Sequence, residues 1–177
     1  RRGAKKNPGK GKWGASNPTA LERIALEKLN RLTGAKAAIV SHEGGGDMMI
    51  NVLNGTLDFG LGELQEISPQ LQAGKIKLLG VLTDKRMERH PDLATAREQG
   101  VDIAVVKFRG VAAPKNVPAD AVKAWEQGIQ KVLAKPEYQK VYQNENLIPA
   151  NKDQKTSRQF IADFAKEESA SLTELGV

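Results

Sequence analysis

The chain has 177 residues, 40% of them hydrophobic, no cysteine and a formal net charge of +6. That length suits one domain or two small lobes and can bury roughly 70% of its unfolded surface. No apolar run approaches the ~18 residues of a membrane-crossing helix, and a cysteine count of zero excludes disulfides, thiol nucleophiles and cysteine-based zinc sites together. The charge is concentrated at one end. Arg1, Arg2, Lys5, Lys6, Lys10 and Lys12 meet no acid before Trp13, whereas 21 basic and 21 acidic residues balance over the rest. A basic tail is one way to bind nucleic acid, but the neutral body argues against it. No apolar stretch follows the basic start, so no secretory leader is expected there.

In chain order, residues 1–12 are expected to be irregular, with a turn at Asn7-Pro8-Gly9 and a short strand near Lys12–Gly14. Ser16-Asn17-Pro18-Thr19 is a helix start: Ser16 or Asn17 caps, and Pro18 suits the first helical position. Leu21, Ile24, Ala25, Leu29 and Leu32 recur at helical spacing until Gly34 stops the helix. A strand over Ala35–Ser41, a glycine loop at Glu43–Asp47 and a helix over Met48–Leu53 follow, closed by Asn54-Gly55. Next come a strand over Thr56–Gly60 and a helix over Leu64–Ala73 that holds Pro69 and ends at Gly74. The apolar run in Lys75–Thr83 predicts a buried strand, Leu93–Gln99 a short helix, and Val101–Val106 a strand that Phe108–Ala113 extends. Three helices close the chain over Pro118–Ala134, Pro136–Glu145 and Asp153–Leu175; Val122, Trp125, Ile129, Val132, Leu133, Phe160, Phe164 and Leu172 are their expected core positions. Strands alternating with helices to about residue 113 predict an α/β fold with an open, mostly parallel sheet flanked by helices on both faces.

In such sheets ligands bind beyond the carboxyl ends of the strands, where helix N-termini offer free N–H groups to anions. Two loops are placed for this. In the first, Ser16 and Thr19 add hydroxyl donors and Asn17 an amide. In the second, Ser41-His42-Glu43-Gly44-Gly45-Gly46-Asp47, three consecutive glycines permit left-handed conformations and an exposed row of amides. It lacks the Gly-Lys-Ser/Thr ending of a P-loop and the spacing of a dinucleotide fingerprint. Ordinary N-capping and a tight turn are the bland readings of the two loops. His42 with Glu43 or Asp47 offers an acid–base pair, but no nucleophile-elbow serine accompanies it. The second histidine, His90, is too remote in sequence for a metal motif. Glu63 follows another strand edge, either to meet a ligand or to solvate its loop. Arg109 is suited to pair bidentately with a carboxylate, or simply with a surface acid.

The order of these motifs resembles one family. Asn7-Pro8-Gly9-Lys10, Glu43-Gly44-Gly45-Gly46-Asp47 and Leu53-Asn54-Gly55-Thr56-Leu57-Asp58 come first. Gln72-Ala73-Gly74-Lys75 before an apolar run, then Arg86, Pro91-Asp92 and Glu98-Gln99-Gly100, continue it. Arg109-Gly110-Val111-Ala112-Ala113-Pro114 with Pro118, and Lys135-Pro136-Glu137-Tyr138, complete it. Together they resemble the TctC/Bug receptors, the periplasmic solute-binding proteins of tripartite tricarboxylate transporters. The resemblance implies a Venus-flytrap, periplasmic-binding-protein-like fold that closes on a small organic carboxylate without covalent chemistry or a cofactor. Integral membrane transporter subunits are the implied partners, with a monomer when complete and no nucleic acid. It maps residues 13–107 onto the ligand-binding second lobe and 108–177 onto the C-terminal return to a first lobe, behind the tail at 1–12. No segment here matches that first lobe, so half of the cleft is expected to be absent. Carried over by motif, Ser16, Asn17, Thr19, the Ser41–Asp47 loop, Glu63 and Arg109 would line the cleft. Glu63 and Asp47 facing it would disfavour a fully ionised polycarboxylate. The competing readings are a hydrolase-like enzyme using His42 with Glu43 or Asp47, and nucleic-acid binding through the tail.

Overall fold

A computed structural model describes residues 9–18, 20–105 and 107–175. Thr19 and residues 1–8 of the basic tail lie outside them. The chain forms two compact units, Arg1–Lys107 and Phe108–Val177.

The first unit is built on β1 (Lys12–Ala15), β2 (Ala38–Ser41) and β3 (Phe59–Gly60), all parallel, in the order β2-β1-β3. Helix α1 (Leu21–Thr33) connects β1 to β2, α2 (Gly45–Leu53) connects β2 to β3, and α3 (Leu64–Gln72) follows β3. This is the expected α/β sheet. Side chains alternate between the faces of a strand, and β1 shows both faces covered. Trp13 and Ala15 join Leu26 of α1, Ala35 and Ala37 in one buried cluster, with Leu29, Ile39, Phe59 and Leu61 against it. Gly14 faces the other side, toward Met48 of α2 and Leu57.

The helix stops are where the glycines put them. Gly34, Gly55 and Gly74 all take positive φ, at 65°, 80° and 67°, which glycine alone adopts without a Cβ penalty. The start of α1 departs from expectation. Its N-cap is Ala20, without a side-chain cap, and Ser16 Oγ instead donates to Glu22 Oε2 at 3.2 Å. Pro18 therefore precedes the helix, and the Asn17 carbonyl accepts from Ala20 N–H at 3.3 Å in a preliminary turn. Within α1, Ile24, Ala25 and Leu26 are buried, whereas Leu32 is exposed.

Asn30 fixes the entry of β2. Its amide Nδ2 donates to the Ala37 carbonyl at 2.9 Å, and its Oδ1 accepts from Ala37 N–H at 2.9 Å. The side chain thus pairs with the backbone as a neighbouring strand would. Asn30→Ala leaves both groups of a buried residue unpaired and is expected to cost about 1–3 kcal/mol. Chemical denaturation checks this, and an unmoved midpoint would mean that water replaces the amide.

The strands expected over Lys75–Thr83 and Val101–Val106 and the helix over Leu93–Gln99 are not formed. Residue Val106 lies outside the described residues. An isolated parallel bridge, Val81 with Thr95, the bond from Val105 N–H to the Leu82 carbonyl at 2.8 Å and side-chain bonds such as Gln99 Nε2 to the Leu79 carbonyl at 3.0 Å tie the segments together, but no ladder forms. An apolar run becomes a strand only when a neighbour supplies the ladder, and Leu79 is 65% exposed. In place of the helix, Thr95 and Glu98 form a reciprocal capping pair over a single turn. Glu98 N–H donates to Thr95 Oγ1 at 3.1 Å, and Thr95 N–H to Glu98 Oε2 at 2.8 Å. The Thr95 amide, with Arg86 beside it, holds the Glu98 carboxyl below its ordinary range.

The second unit holds α4 (Ala119–Leu133), α5 (Pro136–Asn144) and α6 (Gln154–Leu175). Phe108 meets Phe160 and Phe164 of α6 edge-on, with ring centroids 5.2 and 5.3 Å away, a favoured aromatic geometry. No strand forms over Phe108–Ala113. The expected core face of α4 is not a core: Trp125 is 63% exposed and no residue of the helix is buried. Trp125, Ile129, Val132 and Leu133 line an open groove of about 330 Å³ with Val111, Gly128 and Tyr138. The helical period marks which face is apolar, not whether anything covers it.

Candidate functional site

The order β2-β1-β3 makes the crevice between the carboxyl ends of β1 and β3 a topological switch point, the place where open α/β sheets hold ligands. Three loops meet that edge. The first leaves β1 at Ser16. The second leaves β2 at Ser41, whose Oγ accepts from Arg23 Nη1 at 3.0 Å while Arg23 also pairs with Glu27. The third leaves β3 toward Glu63, with Leu61 N–H donating to the Gly14 carbonyl at 3.1 Å.

His42 is anchored twice to β1: its backbone N–H and its Nδ1 lie 3.1 and 3.2 Å from the Ala15 carbonyl. Only a protonated ring nitrogen can face a carbonyl oxygen, so Nδ1 is the donor to Ala15. The Nδ1 partner is therefore Ala15, not Glu43 or Asp47.

Gly44 to Asp47 differ from the expected loop. Gly44 is the extended N-cap of α2, Gly45, Gly46 and Asp47 form its first turn, and none of the three glycines takes positive φ. Their amides nevertheless form a row, because the first N–H groups of a helix lack intrahelical acceptors. A Cβ on Gly45 would stand 2.6 Å from Glu66 Oε2 of α3, while Gly44 and Gly46 face open space. Glycine at 45 thus lets the Glu66 carboxylate rest against the opening turn of α2.

Glu63 is the N-cap residue of α3 without capping it. Its carboxylate pairs closely with Lys107 Nζ, which also lies 3.4 Å from Glu22 Oε1. The hydrogen bond to Glu63, backed by the Glu22 charge, holds the Lys107 ammonium above its ordinary range against partial burial. Sequence reading missed Lys107, Glu22 and Arg23. No local pattern could join Lys107 to partners 44 and 85 residues away. Arg109 belongs to the second unit, where its guanidinium pairs with Glu145 at 3.0 Å. Among the described residues no helix is long and apolar enough to cross a membrane.

A family model described as the tripartite tricarboxylate transporter family receptor, TctC, matches residues 2–177. The chain belongs to this family. The UPF0065 protein in the gbd 5' region of Cupriavidus necator is 25% identical over 174 residues, covering 98% of this chain and 53% of that protein. A Rhodopseudomonas palustris protein solved with adipate superposes with a TM-score of 0.84 at 22% identity, over 99% of this chain and 59% of that one. MatC of the same organism, solved with bound malate, gives 0.72 at 18% identity, over 92% and 57%. These structures share the fold of this chain, which spans about half the length of the curated relatives it matches.

Proposed function

We propose that this TctC-family chain captures a small organic carboxylate non-covalently in the periplasm for a tripartite tricarboxylate-type transporter. The observation that carries the reading is the row of amides opening α2 beside Ser16, Ser41 and His42 at the carboxyl edge of a parallel sheet. A helix N-terminus with glycine amides offers an anion directed donors and partial positive charge. The solved relatives with adipate and malate support a carboxylate as the ligand class. Receptors of this family bind solutes and do not transform them. Asn17, Glu43 and Glu63 are proposed contacts on their place in the same loops, and Thr19 on its place in the sequence alone. Closure of two lobes, which the family fold implies, would exclude water and strengthen these hydrogen bonds.

A thermal-shift panel of di- and tricarboxylates, aromatic acids and amino acids tests the reading. Ligand in hundredfold excess over Kd stabilises the folded state by about 2.7 kcal/mol, so one acid class should raise the melting temperature measurably. A flat panel from folded protein removes the carboxylate assignment. Arg109 is a proposed contact on chemistry alone, since a guanidinium offers a carboxylate two parallel donors. Arg109→Ala is expected to weaken acid binding about tenfold or more, as for a lost charged hydrogen bond, and unchanged affinity in calorimetry would remove it from the site.

A further inference from the structure

The crevice between β1 and β3 contains a connected set of charges that the loop motifs do not account for. Ser16 Oγ donates to Glu22 Oε2, Glu22 Oε1 faces Lys107 Nζ at 3.4 Å, and Lys107 is bound in turn by Glu63. Glu22 stands in the first turn of α1, behind β1; Glu63 stands at the start of α3, behind β3. Lys107 is the last residue of the first unit and brings the cation from outside both loops. The Glu22 side chain is largely buried, but that of Lys107 is 56% exposed. An ammonium has three N–H donors, and two of them are directed at carboxylates.

The geometry points to Ser16, Glu22, Lys107 and Glu63 as the specificity device for the far end of the ligand, selecting an uncharged hydrogen-bonding group and rejecting a second carboxylate. This rests on the receptor reading of the same edge. One cation against two carboxylates leaves a net negative charge at the crevice, and like charges brought together at a partly desolvated site repel strongly. The remaining Lys107 donor and the Ser16 hydroxyl suit an amide or alcohol. Lys107 keeps its charge at neutral pH, since the hydrogen bond to Glu63 holds the ammonium above its ordinary range. Ends β2 and β3 are two strand spacings apart, roughly 10 Å. A small acid whose carboxylate sits at the opening of α2 on the side of Gly44 and Gly46, away from the Glu66 carboxylate against Gly45, therefore reaches the crevice with its other end.

Calorimetry of the whole chain with adipate and with its monoamide, adipamate, tests this. The parent protein is expected to bind adipamate at least tenfold tighter than adipate. In Glu22→Gln/Glu63→Gln the crevice becomes net positive and the preference is expected to invert, with Glu63→Gln alone intermediate. Far-UV circular dichroism of each variant confirms that a changed ratio comes from folded protein, and Glu63→Gln carries the comparison if the double variant does not fold. Binding of both ligands with the same ratio in parent and variants overturns the specificity device and leaves the receptor reading standing. Binding of neither ligand, together with a flat acid panel, overturns both.

Discussion

Trp13→Ala is expected to lower the unfolding free energy of the first unit by about 3–5 kcal/mol, the usual cost of emptying a core aromatic site. Trp13 is 3% exposed on the central strand and stacks at a tilt on Phe59, with centroids 4.6 Å apart. Most of the residues buried with it are small: Ala15, Ala35 and Ala37. Alanines cannot swing into the space that an indole leaves, so the cavity stays open and the cost falls toward the upper end. Domains of this size are stable by about 5–15 kcal/mol, which makes this one change a large share of the total. The site should go with the fold, because β1 carries Ser16 at its end and the Ala15 carbonyl that orients His42. Urea denaturation followed by far-UV circular dichroism measures the loss. A midpoint equal to that of the parent would mean that Trp13 does not organise the core.

The part of the fold legible in the sequence is the part whose contacts are local or adjacent. From β1 to α3 each element ends on a residue with its own conformational reason, such as Gly34, Gly55 and Gly74, and each strand finds its partner within the same unit. From Lys75 to Val105 the apolar pattern is equally clear, but the neighbours supply single bonds and no ladder: Val81 bridges Thr95, the Leu82 carbonyl accepts from Val105 N–H, and Leu79 stays exposed. The face of α4 follows the same rule. Trp125, Ile129 and Val132 are spaced as a core stripe and line an open groove.

The candidate site divides along the same line. Loops at strand ends could be placed from the strands alone, which is why Ser16, Ser41 and Gly44 to Asp47 lie along one sheet edge. The conformation of the glycines could not, since three glycines allow both a left-handed loop and a helix start. The decision fell to Met48, whose burial draws the first turn of α2 down onto the sheet. Lys107 was invisible because its role depends on Glu22 and Glu63, brought to it by the fold and not by spacing.

Gly60→Ala should show how that docking is achieved. Gly14 of β1 and Gly60 of β3 are register partners, side by side on the face that α2 covers. A Cβ at Gly14 would lie 2.5 Å from Leu57 Cδ1 and 2.8 Å from Met48 Cγ; one at Gly60 would run into Met48 Sδ and lie 3.1 Å from its Cε. The paired glycines thus leave a hollow in the sheet that the Met48 side chain fills. Adding a methyl group to a filled core costs about 1–3 kcal/mol, and Met48→Ala, which empties the hollow, about 2–5 kcal/mol. The two losses should not add. In Gly60→Ala/Met48→Ala the new methyl occupies space that the methionine has vacated, so the double variant is expected to be more stable than the sum of the single losses by about 0.5–3 kcal/mol. Because Met48 directly follows Asp47, pushing it outward also lifts Gly45 and Gly46 from the sheet edge, and Gly60→Ala should weaken acid binding as well. Denaturation midpoints of the four proteins measure the coupling. Strict additivity would show that Met48 does not hold α2 in this hollow, and that the row of amides is positioned by something else.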